Sequence, residues 1–411
     1  MQTLITGCRV FDSHTGVVGE EAHVLVEGER IEEISESPIG VTDATTVRAD
    51  GKVLMPGLID LHVHLTATSV DLAANQREPS SVITWDAVSE MSRTLQRGFT
   101  TVRDAGGADS GLARLVERGS IPGPRLFVAG RALSQTGGHG DVGDATAHLA
   151  CGRYATHRPL GALAHVADGP DAVRVAVRQE LRAGADQIKL MVSGGVASPT
   201  DPLLGTQYSI DEIEAAVEEA TAWGTYVMAH AYSADAIARA ARAGVRTVEH
   251  VNLIDEPTAQ LLDERGVYAV PTLVAYRGLL LKGRELGLTA RQMSKLETVL
   301  NAGLESLEIL KQAGVKTGFG SDLLGPLREM QSLEFEIRNE VLPAGEILAS
   351  ATSLAAEVLG RTGDLGVIAP GALADLILVD GDPTEDISLL ANDGRHLALI
   401  MANGRIVKNA T

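Results

Sequence analysis

The sequence predicts an α/β protein: a (β/α)8 TIM-like barrel carrying a small composite β-sandwich built from both chain ends. Three observations predict it. Eight short apolar runs lie between residues 58 and 321, several of them separated by segments of helical period. Both chain ends have instead the texture of short strands and turns, and neither holds enough apolar residues for a core of its own. The length, 411 residues, fits one large barrel with an appendage. Alternation of strand and helix argues for a parallel sheet, and eight units over about 300 residues argue for closure into a barrel. A doubly wound open sheet is the rival. No Gly-x-Gly-x-x-Gly turn follows the first run, which weakens its dinucleotide-binding form.

In chain order, residues 1–55 form the first part of the β-sandwich. Residues 3–10 are an apolar-rich run, read as a strand rather than a signal peptide because no charged region precedes an apolar one. Residues 23–27 are another run, followed by a turn at Gly28 and a strand over 30–34. The barrel occupies residues 56–366. Its expected strands are 58–65, 100–105, 125–129, 187–192, 226–231, 247–251, 268–272 and 316–321. Its expected helices include 84–97, 171–183, 211–223, 234–243 and 256–265. Segments 144–159 and 276–288 read as loops that shape a pocket. Residues 367–411 complete the β-sandwich, with a buried strand over 374–379 and a hairpin turning on Asn403-Gly404.

Composition narrows the partners. Lys and Arg number 35 against 54 Asp and Glu, a net charge of −19, which argues against nucleic acid because phosphate is gripped by cationic fields. No stretch of eighteen uninterrupted apolar residues occurs, so no membrane span is expected. Cys8 and Cys151 stand far apart, which is neither a disulfide framework nor zinc-finger spacing. Together these point to a cytoplasmic protein.

A barrel's chemistry gathers at the C-terminal ends of its strands, and reactive side chains lie there on five of the eight runs. The first ends in His62-Val63-His64. Residues i and i+2 of a strand share a face, so both imidazoles can converge on one metal, although a polar sheet face would look the same. The fourth carries Lys189 among apolar neighbours. A buried ammonium is costly without a partner. Either it pairs or snorkels outward, or its neutral amine has combined with CO2 to give a carbamate, an anionic ligand able to bridge two cations. The fifth and sixth runs end in His230 and His250, each of which alone reads as a satisfied core histidine. The eighth ends Gly318-Phe319-Gly320-Ser321-Asp322, where Asp322 would meet a metal and a water, or cap a helix. The joint pattern decides: four imidazoles, a carboxylate and a carbamate suit two divalent ions, about 3.5–4 Å apart.

These residues resemble the amidohydrolase superfamily in its binuclear, carboxylated-lysine form. The resemblance spans the chain. It begins at Gly-Lys-Val-Leu-Met-Pro-Gly-Leu-Ile-Asp-Leu-His-Val-His, residues 51–64. It ends at Gly-Val-Ile-Ala-Pro-Gly-Ala-Leu-Ala-Asp-Leu, residues 366–376. Residues 134–141 (Ser-Gln-Thr-Gly-Gly-His-Gly-Asp), 192–202 and Gln207-Tyr208-Ser209 are similar to a narrower branch. That branch holds prolidase-like Xaa-Pro dipeptidases, Xaa-Arg and Xaa-Lys carboxypeptidases, and ochratoxin-type amidases.

The resemblance implies that His62, His64 and Asp322 hold the more buried metal and His230 and His250 the other, with carboxylated Lys189 bridging. It implies that His139 and Tyr208 meet the substrate's reacting group. The expected reaction is hydrolysis of an amide C–N bond, in a dipeptide or N-acyl amino acid, by a metal-bridging hydroxide with Asp322 as general base and acid. Zinc is the expected metal, with cobalt, manganese or nickel as alternatives. Family habit implies a homo-oligomer. Arg131 and the backbone amides of Gly137-Gly138 and Gly194-Gly195 are candidates to grip a substrate carboxylate. Three other readings stay open: a carbamate, urea-type or ochratoxin-like amide substrate on the same site; a mononuclear imidazolone hydrolase or deaminase without the lysine bridge; and a non-catalytic barrel.

Overall fold

The computed structural model describes residues 2–142, 160–198 and 201–411. Segment 144–159 and Cys151 therefore lie outside the described residues. The N-terminal strands are β1 (Gln2–Asp12), β2 (Val17–Glu27), β3 (Arg30–Ser35), β4 (Thr45–Arg48) and β5 (Val53–Pro56). The C-terminal ones are β15 (Leu376–Val379), β16 (Leu397–Ala402) and β17 (Arg405–Asn409). They form one sheet in the order β17-β16-β15-β5-β1-β2-β3, with β4 beside β1. The two chain ends meet where β15 pairs antiparallel with β5, Ile377 opposite Met55. Ile5, Val24, Leu54, Leu376 and Leu399 fill its core. Asn403 and Gly404 take φ of 49° and 69° between β16 and β17, the left-handed pair that a two-residue hairpin needs.

The barrel begins with β6 (Leu58–Val63), β7 (Phe99–Asp104) and β8 (Arg125–Val128), paired in parallel. It continues through β11 (Ile188–Met191), β12 (Val227–Ser233), β13 (Thr247–Leu253) and β14 (Tyr268–Val270), also parallel. Asp186 N–H donates to the Val128 carbonyl at 2.7 Å and joins the two arcs. Residues of β6, β7, β11 and β12 are buried throughout, the continuous burial expected of strands covered on both faces.

The expected strands appear with small shifts of boundary, except the eighth. Residues 316–321 make one bridge, Thr317 to Ala269, and no regular ladder. They close the barrel all the same: Leu61 N–H donates to Phe319 O at 2.8 Å, and Asp322 N–H to His62 O at 2.8 Å. The approach is too close for a side chain, since a Cβ at Gly320 would stand 2.6 Å from Val270 and 3.0 Å from His62. Two three-residue strands were too short to read in advance, β9 (Ala132–Ser134) and β10 (Ala164–Val166), which extend the sheet beside β11. Segment 276–288 is not simply a loop: the helix Leu273–Lys282 takes its first half. A helix over Ala290–Ala313, capped by a Thr289/Gln292 box, was also unforeseen. Among the described residues, no helix is long and apolar enough to cross a membrane.

Candidate metal centre and substrate cavity

One cavity opens at the C-terminal ends of the barrel strands. His62, His64, Lys189, His230, His250 and Asp322 all line it, as do His139, Tyr232 and Tyr276. The ligand atoms of His62, His64 and Asp322 lie within 4.8 Å of one another. Asp322 Oδ1 is 3.3 Å from His62 Nε2 and 3.2 Å from His64 Nε2. The His250 ring centroid is 5.0 Å from that of His62 and 4.5 Å from that of His230. Asp322 and His250 both adopt left-handed backbone, φ 51° and 76°, an uncommon conformation held where strands end at this cavity.

Each imidazole has one nitrogen fixed from outside. His62 Nδ1 donates to Glu249 at 2.8 Å, and His64 Nδ1 to the Gly106 carbonyl at 2.9 Å. His250 Nδ1 lies 2.8 Å from the Thr272 hydroxyl. These contacts leave Nε2 of all three for the cavity. His230 is reversed: its Nε2 donates to the Gly194 carbonyl at 3.2 Å, leaving Nδ1. Burial pushes His230 and His250 well below the ordinary imidazole range, toward the neutral form that ligates metal.

Glu249 is itself pinned. Arg103 Nη2 reaches its two oxygens at 3.0 and 3.1 Å, with both side chains fully buried. Burial would raise the Glu249 carboxyl, but Arg103, His62 and Lys189 hold it at about 2. Asp60 ties the first strand to the eighth, accepting from His62 N–H at 3.0 Å and from the Ser321 hydroxyl at 2.6 Å.

Lys189 is 1% exposed. Its Nζ stands 3.4 Å from His62 Nε2, and among the described residues no carboxylate comes within ion-pair distance. Burial lowers its amine to about 8. A buried, easily deprotonated amine with no carboxylate partner, beside four imidazoles and a carboxylate, fits a metal-bridging carbamate, and the nitrogen and oxygen donor set fits divalent ions.

Tyr208 does not reach this cavity. Its hydroxyl donates to the Ala167 carbonyl at 3.1 Å, and its φ of 53° places it in the turn before the helix Ile210–Ala222. Two tyrosines that the sequence reading passed over are there instead. Tyr232 stacks on His250 with centroids 5.1 Å apart, and Tyr276 Oη donates to Tyr232 Oη at 3.0 Å. The signal for Tyr232 was present, since it follows His230 by two residues on the same strand face. Nor does a carboxylate nest exist where it was sought. Gly137, Gly138, Gly194 and Gly195 spend their N–H groups on Asp141, Gln135, Gly205 and Asp201. Arg131 lines a different cavity, paired with Glu180 at 3.1 Å. The rest of the site is apolar, lined by Leu72, Leu163, Met191, Val196, Leu279 and Leu327.

Fold and site together define a barrel-borne hydrolase of a kind that uses divalent metals. The amidohydrolase family profile matches residues 53–407, and the chain belongs to that family. It is a hydrolase acting on amide carbon–nitrogen bonds. Ochratoxinase from Aspergillus niger is 31% identical over 373 residues, covering 87% of this chain and 76% of the relative. Among solved structures, a prolidase complexed with N-methylphosphonate-L-proline is 49% identical, with a TM-score of 0.96 and full coverage of both chains. A Xaa-Pro dipeptidase with bound methionine is 29% identical, with a TM-score of 0.86 and the same coverage.

Proposed function

We propose that this chain hydrolyses the amide bond of dipeptides and N-acyl amino acids, with dipeptides ending in proline among its substrates. The observation that carries the reading is the convergence of six groups from five strand ends on one largely apolar cavity. The 49% identity to a prolidase bearing a proline phosphonate supports the substrate class. The catalytic unit is residues 56–366, with residues 1–55 and 367–411 forming the appended sheet. The protein is cytoplasmic and homo-oligomeric in this reading.

His62, His64 and Asp322 would hold one ion, and His230 and His250 a second, with Lys189 bridging as its carbamate. Zinc is the first choice for both, with cobalt, manganese or nickel as substitutes. Bound ions supply a water acidic enough to attack at neutral pH and polarise the scissile carbonyl. The chain's own residues do the rest. Asp322 takes a proton from the attacking water and returns it to the leaving nitrogen. Tyr232 donates its hydroxyl proton to the carbonyl oxygen as charge grows there, because Tyr276 already donates to the Tyr232 oxygen and leaves that proton free. Burial pushes both phenols upward, so they stay protonated. His139, at the cavity wall, contacts the substrate's reacting group, and the apolar lining excludes water.

The test is a library of dipeptides and N-acyl amino acids offered to the zinc-loaded protein beside carbamates and ureas. Hydrolysis of an Xaa-Pro or other dipeptide, lost on chelation and regained with zinc, is expected. Turnover of ureas or carbamates with none of any peptide or N-acyl amino acid would overturn the reading.

A further inference from the structure

The loop after β11 carries a buried carboxylate to which the chemistry above assigns no part. Asp201 is 3% exposed and stands behind His139, with its Oδ2 3.5 Å from His139 Nδ1. The same oxygen accepts the Gly195 N–H and Gln207 Nε2, each at 3.1 Å. Gln207 Oε1 accepts the His139 main-chain N–H at 2.9 Å. The other oxygen, Oδ1, faces the ammonium of Lys295 at 3.4 Å. Lys295 also donates to the Gly195 and Ser198 carbonyls, each at 2.8 Å. It comes from the helix Ala290–Ala313, whose first turn is tied to the same loop by Gln292 Nε2 on the Ala197 carbonyl at 2.6 Å.

The His139 ring is wedged, while its main chain is tethered to Gln207 and its Nδ1 edge meets Asp201 at ion-pair distance. Its ring stacks on His230 with centroids 4.5 Å apart and planes 16° from parallel. The Gly195 backbone approaches it so closely that a Cβ there would stand 2.2 Å from ring Cε1. Burial would raise the Asp201 carboxyl, but His139, Ser198 and Lys295 hold it well below the carboxylate range, so it stays charged. A buried charge facing one edge of an imidazole, itself matched by a buried ammonium, is costly to assemble unless it fixes something.

We propose that Asp201 and Lys295 are positioning residues for His139: the carboxylate orients the ring by its Nδ1 edge, and Lys295 locks the carboxylate. Nε2 is then the nitrogen turned to the substrate. This rests on the reading above that His139 touches substrate. The helix Ala290–Ala313 becomes part of the active-site support, although none of its residues lines the cavity.

A double-variant cycle tests it. In Asp201→Asn, one oxygen must serve Gly195, Gln207 and His139 while an amide N–H faces Lys295, or the reverse, so the ring loses its charged partner either way. Turnover should fall about 10- to 100-fold with a smaller change in KM, while bound metal and melting temperature hold. In a His139→Ala background the same substitution should change turnover no further. Lys295→Met should reproduce the loss and Lys295→Arg should avoid it, and this pair decides the matter if Asp201→Asn does not fold. Full turnover in Asp201→Asn, or an equal loss in both backgrounds, would overturn the inference, because Asp201 would then brace the loop independently of His139. Full turnover in His139→Ala alone would instead sink the earlier reading of His139.

Discussion

The deep wall of the cavity and its outer wall are built by different means. In the deep wall, His62, His64 and His250 ride on strand ends or directly after them, and their outer nitrogens meet groups behind the next strand, the Gly106 carbonyl for His64 and Thr272 for His250, or across the barrel, Glu249 for His62. The outer wall has no such ladder. Tyr232 still rides on β12, but Tyr276 lies on a helix and His139 in a loop, and His139 is held from distant segments by Gln207 and Asp201, the latter faced by Lys295. Parallel strands fix neighbours by register, so one placed ligand nearly places the next. A loop residue needs its own braces, and those can come from anywhere in the chain. In the reading proposed above, metal retention is thus the property of the deep wall, and substrate alignment that of the outer wall.

Substitutions should divide along that line. The largest effect is expected at Lys189, in the deep wall. Lys189→Ala should lose at least half of the bound metal and drop turnover to background, as elemental analysis and a peptidase assay would register. A short-chain carboxylic acid should restore part of both by standing in for the carbamate. Full metal content and activity in this variant would erase the distinction between the walls. Tyr232→Phe comes next and should fail differently. It keeps the stacking on His250 and removes only the hydroxyl, so bound metal should be unchanged while kcat falls about 100- to 1,000-fold. Loss of metal from Tyr232→Phe would mean that the outer wall, too, serves retention.

The same division governs what the sequence could reveal. Deep-wall positions are legible because each follows an apolar run: His62 and His64 alternate on one strand face, and His230, His250 and Asp322 recur at strand ends. Their order along the chain already implies a meeting place in a barrel. Glu249 stood beside His250 in plain view, but its reach to His62 across the barrel depends on closure that no local pattern expresses. Lys295 had no signal at all, since one lysine on a long helix looks like any solvated cation. The eighth strand was legible as sequence and irregular as structure, because its glycines allow an approach to β6 tighter than a ladder. Tyr232 was within reach of the two-residue rule, yet the Gln-Tyr-Ser motif drew attention to Tyr208 instead.

That displacement gives the smallest predicted effect. Tyr208 resembles a catalytic tyrosine by motif, but its surroundings are those of a brace. Its main-chain N–H is taken by Gln135, its carbonyl by Arg239, and its hydroxyl by the Ala167 carbonyl. It precedes Ser209, which caps the helix Ile210–Ala222 through a full capping box. Burial pushes its phenol up, so the group stays a donor across any working pH. Tyr208→Phe removes one buried hydrogen bond and keeps the ring, which costs about 1 kcal/mol of stability and lowers the melting temperature by a few degrees at most. Turnover and bound metal should stay within about twofold of the parent, since an interaction outside the reacting centre contributes equally to ground and transition states. A kcat loss as large as that of Tyr232→Phe, measured side by side at saturating substrate, would show that the loop carrying Tyr208 swings into the cavity during turnover. The outer wall would then have to be redrawn with Tyr208 in it.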